Sequence, residues 1–136
     1  MSARWIWRGV NGLATCAFLF FAVVQHNDPD PVRWAAIYLA AALCCALELI
    51  GRLRWPLPAI TAAVALVWIG IWAPRVVGKV DWGHAFASAG MSGDEKEEEA
   101  RETGGLAITA AWSVALAVGS ATKKRYQHPF QPPEQR

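Results

Sequence analysis

Four long apolar stretches, almost free of charge, alternate along this chain with short polar blocks that hold nearly all of its ionisable residues. Crossing the hydrocarbon core of a bilayer takes roughly 20 apolar residues at about 1.5 Å of rise each. The stretches at about 5–24, 32–51, 57–73 and 104–121 meet or approach that length. Prolines punctuate them where a helix should stop. Pro29 and Pro31 close the first connection, Pro56 and Pro58 the second, and Pro74 ends the third helix. The pattern predicts an all-α polytopic membrane protein, with four transmembrane helices in an antiparallel bundle over residues 1–126. The proline-rich segment 127–136 is expected to be a flexible cytoplasmic tail.

Composition supports this pattern. The chain has 136 residues, enough for one domain, and is 54% hydrophobic. Its eight tryptophans fall mostly near the predicted span ends, where amphipathic rings favour the headgroup layer. A net charge of only +2 gives no electrostatic footprint for nucleic acid. Three cysteines make no disulfide framework. Cys16 lies in the first span, and the neighbours Cys44 and Cys45 point about 100° apart on the second, so all three are expected as apolar fillers. Leu13-Ala14-Thr15-Cys16 faintly resembles a lipoprotein cleavage box. The strongest apolar run follows the cysteine instead of preceding it, so the first span is expected to be retained.

Charge sets the expected orientation. Arg4, Arg8, Arg52, Arg54, Lys123, Lys124, Arg125 and Arg136 fall on one side of the four-span topology, with Glu134 as the clear acid there. Arg33, Arg75, Lys79, Lys96 and Arg101 fall on the other side, together with most of the acids. The positive-inside rule puts the first group, and hence both termini, in the cytoplasm. A bacterial inner membrane is the simplest host.

The polar chemistry gathers at two places on the outward side. One is the short connection Gln25-His26-Asn27-Asp28-Pro29-Asp30-Pro31. Asn and Asp before proline favour turns capped by side-chain oxygens, and Asp30 is placed to cap the second helix with Pro31 at its first position. The other is Glu97-Glu98-Glu99-Ala100-Arg101-Glu102. It runs into the last span after Ser92-Gly93-Asp94-Glu95, which fits a capping box. On a helix Glu98, Glu102, Gly105, Thr109, Trp112 and Leu116 share one stripe. The plain reading of such a run is a solvated helix start laced with pairs from Arg101 to Glu97 or Glu98, each worth about 0.2–0.5 kcal/mol. The alternative is an oxygen-ligand site for Ca²⁺ or Mg²⁺, drawing on Asp28, Glu98 and Glu102 with an Asn27 carbonyl. The same carboxylates could instead pair with Arg101 and staple the first connection to the last helix. Spacing alone leaves these open.

Other candidates carry less. Glu48 lies inside the second span, one turn from Arg52, where a snorkelling ion pair is the plain expectation. The stripe Trp34, Tyr38, Ala41, Cys45 and Glu48 reads as ordinary helix packing. His26 and His84 are both outward, but two histidines without a third ligand make a poor zinc site. The first part of the long third connection, around residues 80–86, is expected on the membrane surface. No nucleophile–base pair and no phosphate loop is present, so no catalytic residue is assigned.

At its two polar clusters the sequence resembles the transmembrane protein 220 family of small four-span membrane proteins. The first carrier is Gln25-His26-Asn27-Asp28-Pro29-Asp30 with Trp34 and Tyr38 downstream. The second is Glu97-Glu98-Glu99-Ala100-Arg101-Glu102 followed by Gly105-Leu106, Ile108 and Ala111-Trp112. The resemblance implies four membrane helices and no particular activity. It marks Asn27, Asp28, Asp30, Arg101, Glu102, Gly105 and Trp112 as the positions to examine.

These observations favour a non-enzymatic membrane protein. Its outward cluster of Asn27, Asp28, Asp30, Glu98, Arg101 and Glu102 would be structural, or would bind a cation or small polar ligand. Trp34, Tyr38, Gly105 and Trp112 are expected to pack beside it. Two alternatives stand: an accessory subunit of a larger membrane complex, and a membrane enzyme acting on a lipid-type substrate with a carboxylate base. Membrane lipids are the expected partners, and no cofactor is implied.

Overall fold

The computed structural model describes residues 3–28, 30–87 and 95–127. Five α-helices account for most of them: α1 (Ala3–Val24), α2 (Pro31–Leu49), α3 (Pro56–Val76), α4 (Trp82–Ala87) and α5 (Glu95–Gln127). A single 3-10 turn, Gln25–Asn27, follows α1, and no strand occurs among the described residues. Helices α1, α2, α3 and α5 are long and apolar enough to cross a membrane. The capping box at Ser92–Asp94 and the tail beyond Gln127 lie outside the described residues.

Local chemistry sets the helix ends. Pro31 opens α2, where its missing N–H costs nothing, and Pro56 opens α3 in the same way. At the far end of α2, Gly51 takes a left-handed φ of 71°. Its N–H then reaches the Glu48 carbonyl at 3.1 Å, and the Arg52 N–H reaches that of Leu47 at 2.8 Å. Pro74 does not end α3 as expected. It sits inside the helix, which runs on to Val76, and the Val77 N–H still reaches the Ala73 carbonyl at 2.9 Å. A proline so near the end removes one hydrogen bond without reversing the chain. The reversal comes at Gly78, with φ at 73°.

Two close helix pairs, α1 with α2 and α3 with α5, are joined through α2, which also touches α3 and α5. Trp34, Tyr38, Ala41 and Cys45 are all buried, so the stripe they form is the packing face of α2. The Tyr38 hydroxyl lies against Gly105, and Cys45 accepts a hydrogen bond from Trp112 at 3.1 Å. Both contacts step seven residues in the same chain direction, so α2 and α5 run parallel, as the second and fourth spans of an up-down bundle must. The predicted stripe on α5 is the face it turns to α2.

The long third connection folds back onto the bundle. Asp81 accepts the Gly83 N–H through Oδ1 at 2.9 Å and starts α4. Ala85 of α4 is then buried against Val76 of α3 and Ala100 of α5. Large apolar side chains such as Leu13, Phe20, Val32 and Val67 are exposed around the outside, as a lipid-facing surface requires.

Helix α5 has 33 residues, about 50 Å of helix against a hydrocarbon thickness of about 30 Å. Its apolar part begins after Glu102, at residues 104–121. The acidic first turns therefore stand clear of the hydrocarbon.

Candidate functional site

The two polar clusters meet at one end of the bundle. After the 3-10 turn the backbone of Asp28 becomes extended, with its N–H on the Gln25 carbonyl at 3.0 Å. Asp28 Oδ1 accepts the Asp30 N–H at 2.7 Å, which closes a tight Asx-type turn. That turn holds the Asp28 carboxylate beside α5. Glu98 and Glu102 come up to it from consecutive turns of α5. One oxygen from each of Asp28, Glu98 and Glu102 lies within 4.8 Å of the other two.

These three line a pocket of about 140 Å³, together with Asp30 and Glu99. Trp34 and Trp72 form its apolar wall, and Arg33 is the cation in its lining. Each side residue is held in place. Arg33 pairs with Asp30 at 3.2 Å. Arg75 pairs with Glu99 at 3.5 Å while its guanidinium lies 4.5 Å over the Trp72 ring. Trp34 is buried, 5.4 Å from Trp68 and 6.0 Å from Trp72 between ring centroids.

Crowding carboxylates at a half-buried site penalises their charged forms. Burial pushes Glu102 up to about 8, helped by its hydrogen bond to Asp28 and by the negative charges of Asp28, Glu98 and Glu99. Below that pH Glu102 keeps its proton, and its carboxyl O–H donates a hydrogen bond to the Asp28 carboxylate. One helical turn further in, Gly105 leaves room for the Tyr38 ring. A methyl group at position 105 would overlap the Tyr38 hydroxyl and come within 3.2 Å of Cζ.

A family model described as transmembrane family 220, helix, matches residues 17–118. The chain belongs to this family. The matched stretch of the transmembrane family 220 protein contains every residue of the pocket, and no solved structure matches the chain.

Several expectations change in the transmembrane family 220 fold. Asp30 occupies the cap position of α2 but makes no side-chain cap bond, because its carboxylate is turned to Arg33. Arg101 is absent from the pocket lining, where Arg33 stands instead. The connection and α5 meet at Asp28 and Glu102. The acidic run is only partly a solvated face, since Glu99 is turned inward to Arg75. Asn27 ends the 3-10 turn, and its side chain, like that of His84, lies outside the described residues. His26 turns back, its Nδ1 at 3.1 Å from the Val23 carbonyl.

Trp112 does not lie beside the carboxylate cluster. It is ten residues beyond Glu102, about 15 Å along the helix. There its ring stacks on Trp7 at 5.7 Å and its indole N–H donates to Cys45. The Trp7 indole in turn donates to Glu48 at 3.1 Å, and Glu48 pairs with Lys123 in place of Arg52. Gly51 ends the helix between Glu48 and Arg52, so the expected i,i+4 partner leaves the helical path. Sequence reasoning names Glu99 only within the acidic run and gives Trp72, Arg33 and Arg75 no place in the site. The clue available was topological: four spans put all four on the same side as Asp28 and Glu102.

Proposed function

We propose that this is a non-enzymatic membrane protein whose outward pocket takes up a hard divalent cation, Ca²⁺ or Mg²⁺, in competition with a proton on Glu102. The observation that carries this reading is the convergence of Asp28, Glu98 and Glu102 from two elements some 70 residues apart in sequence. Ca²⁺ binds oxygens at about 2.3–2.6 Å, so ligands on opposite sides of one ion lie about 4.6–5.2 Å apart. Three oxygens within 4.8 Å of one another share a centre at most about 2.8 Å from each, so a closing movement of a few tenths of an ångström brings all three to a single ion. Water is available for further coordination positions. Both termini are placed in the cytoplasm, a reading supported by the basic residues at the opposite end of the bundle.

The competing reading is a protonated Asp28–Glu102 staple with no ligand, favoured by the hydrogen bond between those two side chains. Thermal unfolding in mild detergent separates the two. Millimolar Ca²⁺ or Mg²⁺ is expected to raise Tm at pH 8, by about 2.7 kcal/mol of stability at a hundred times Kd. Asp28→Asn should abolish that rise, and native mass spectra should show one divalent ion per chain in the wild type alone. A Tm indifferent to both cations would leave only the staple.

A further inference from the structure

The opposite end of the bundle has a composition of its own. The contacts of Glu48 with Trp7 and Lys123 bring together the start of α1, the end of α2 and the end of α5. Glu48 is the acid of this end among the described residues. It is nearly buried, its side chain 9% exposed, and Lys123 already neutralises it. Four arginines belong to the same end, and all are exposed: Arg4 and Arg8 on α1, and Arg52 and Arg54 in the turn from α2 to α3. None of the four has an acidic partner among the described residues.

Their presentation is fixed by the backbone. Arg4 and Arg8 stand one turn apart on a single face of α1. The Gly51 turn pins Arg52 through its N–H bond to Leu47, and Leu53 tucks into the core, so Arg52 and Arg54 are turned outward on either side of it. Trp5 and Trp55, 67% and 46% exposed, flank the two arginine pairs at the level where indoles settle among headgroups.

We propose that this basic end is a binding surface for anionic phospholipid, with the arginine pairs holding headgroup phosphates. The reasoning is chemical. Among the described residues the exposed cations of this end that have no acidic partner are arginines, whose planar forks take phosphate oxygens in pairs. Their positive charge is uncompensated, and the flanking tryptophans place them at the depth of the phosphates. Exposed basic side chains near a membrane surface gain about fivefold each in affinity for anionic lipid. A passive topology signal needs the charge only during insertion. A binding surface holds the lipid afterwards.

The test is native mass spectrometry of the purified full-length chain with phosphatidylglycerol or phosphatidylcholine added in detergent. The wild type is expected to retain phosphatidylglycerol preferentially. R52Q/R54Q and R4Q/R8Q should each weaken it on the order of 30-fold, with phosphatidylcholine unchanged. K79Q, an exposed cation at the opposite end of the bundle, serves as the control for general charge loss and should leave phosphatidylglycerol retention unchanged. Equal retention of the two lipids, or unchanged retention in both double variants, overturns the proposal. Displacement of bound phosphatidylglycerol by millimolar inorganic phosphate overturns it too, in favour of a soluble phosphate ligand.

Discussion

Gly105→Ala is expected to destabilise the protein by about 1–3 kcal/mol, the usual cost of forcing atoms into a filled core. The sign is opposite to the ordinary one. Alanine in a helix interior normally gains about 0.5–1 kcal/mol over glycine. At position 105 the new methyl group would overlap the Tyr38 hydroxyl, and Tyr38 cannot swing away. Its ring is buried, with Phe21 packed at 5.6 Å in an edge contact. Relief has to come from separating α2 and α5, which also pulls Glu102 away from the first connection.

Thermal unfolding in detergent tests this with an internal control. Gly119 lies on the same helix, and a methyl group there would meet nothing within 4 Å, so Gly119→Ala should be neutral or slightly stabilising. The steric cause is separable by a double-mutant cycle. In a Tyr38→Phe background the overlapping oxygen is gone and only Cζ, at 3.2 Å, remains to be moved by a few tenths of an ångström. The cost of Gly105→Ala should then fall by more than half. The same cost in both backgrounds would mean that position 105 is sensitive for some other reason.

The legible parts of this protein were those governed by one-dimensional rules. Runs of about 20 apolar residues and the prolines between them give the four spans directly, because a bilayer enforces length. The meeting of Asp28 with Glu98 and Glu102 could be framed in advance for a similar reason. Four spans put both clusters on one side of the membrane, and the short first connection leaves its polar groups nowhere else to go. Helix rotation was not legible. Helix α3 is apolar nearly all round, so no polar stripe shows which face turns inward, and the roles of Trp72 and Arg75 stay hidden until the bundle is assembled. Glu48 shows the same limit. Its nearest basic residue in sequence is Arg52, but a glycine breaks the helix between them, and Lys123 arrives from 75 positions away.

The two ends of the bundle are consequently different in chemistry. At one end a nearly buried carboxylate is neutralised by a lysine and accepts an indole N–H, and exposed arginines share that end. At the other, carboxylates outnumber their cations and crowd beside two tryptophans. The second arrangement is costly unless something positive joins it. A proton and a divalent ion are the two candidates, and both act through Glu102.

Stability is therefore expected to fall as pH rises through the neutral range, with Glu102 as the cause. Its carboxyl is raised from 4.5 to about 8 in the folded protein, by burial first and by the neighbouring carboxylates next. Between those two values the folded chain holds a proton that the unfolded chain releases. Proton binding then favours the fold. That contribution is complete below about pH 4.5, is lost progressively as pH climbs to about 8, and changes no further above it. One proton limits the slope to about 1.4 kcal/mol per pH unit. Asp28, Glu98, Glu99 and Arg33 face the same pocket and stay in place, so Glu102→Gln isolates the group. The amide resembles the protonated acid and can still donate to Asp28. The variant should melt with little dependence on pH between about 5.5 and 8.5, and above about pH 8 it should be more stable than the wild type. A divalent cation in the pocket must displace the Glu102 proton, so its stabilising effect should grow from about pH 6 to about pH 8 in the wild type. If Ca²⁺ raised Tm equally at both pH values, or equally in Glu102→Gln, the ion would be bound elsewhere. A wild type whose Tm stays flat across the same range would show that the Glu102 proton is absent from the folded state.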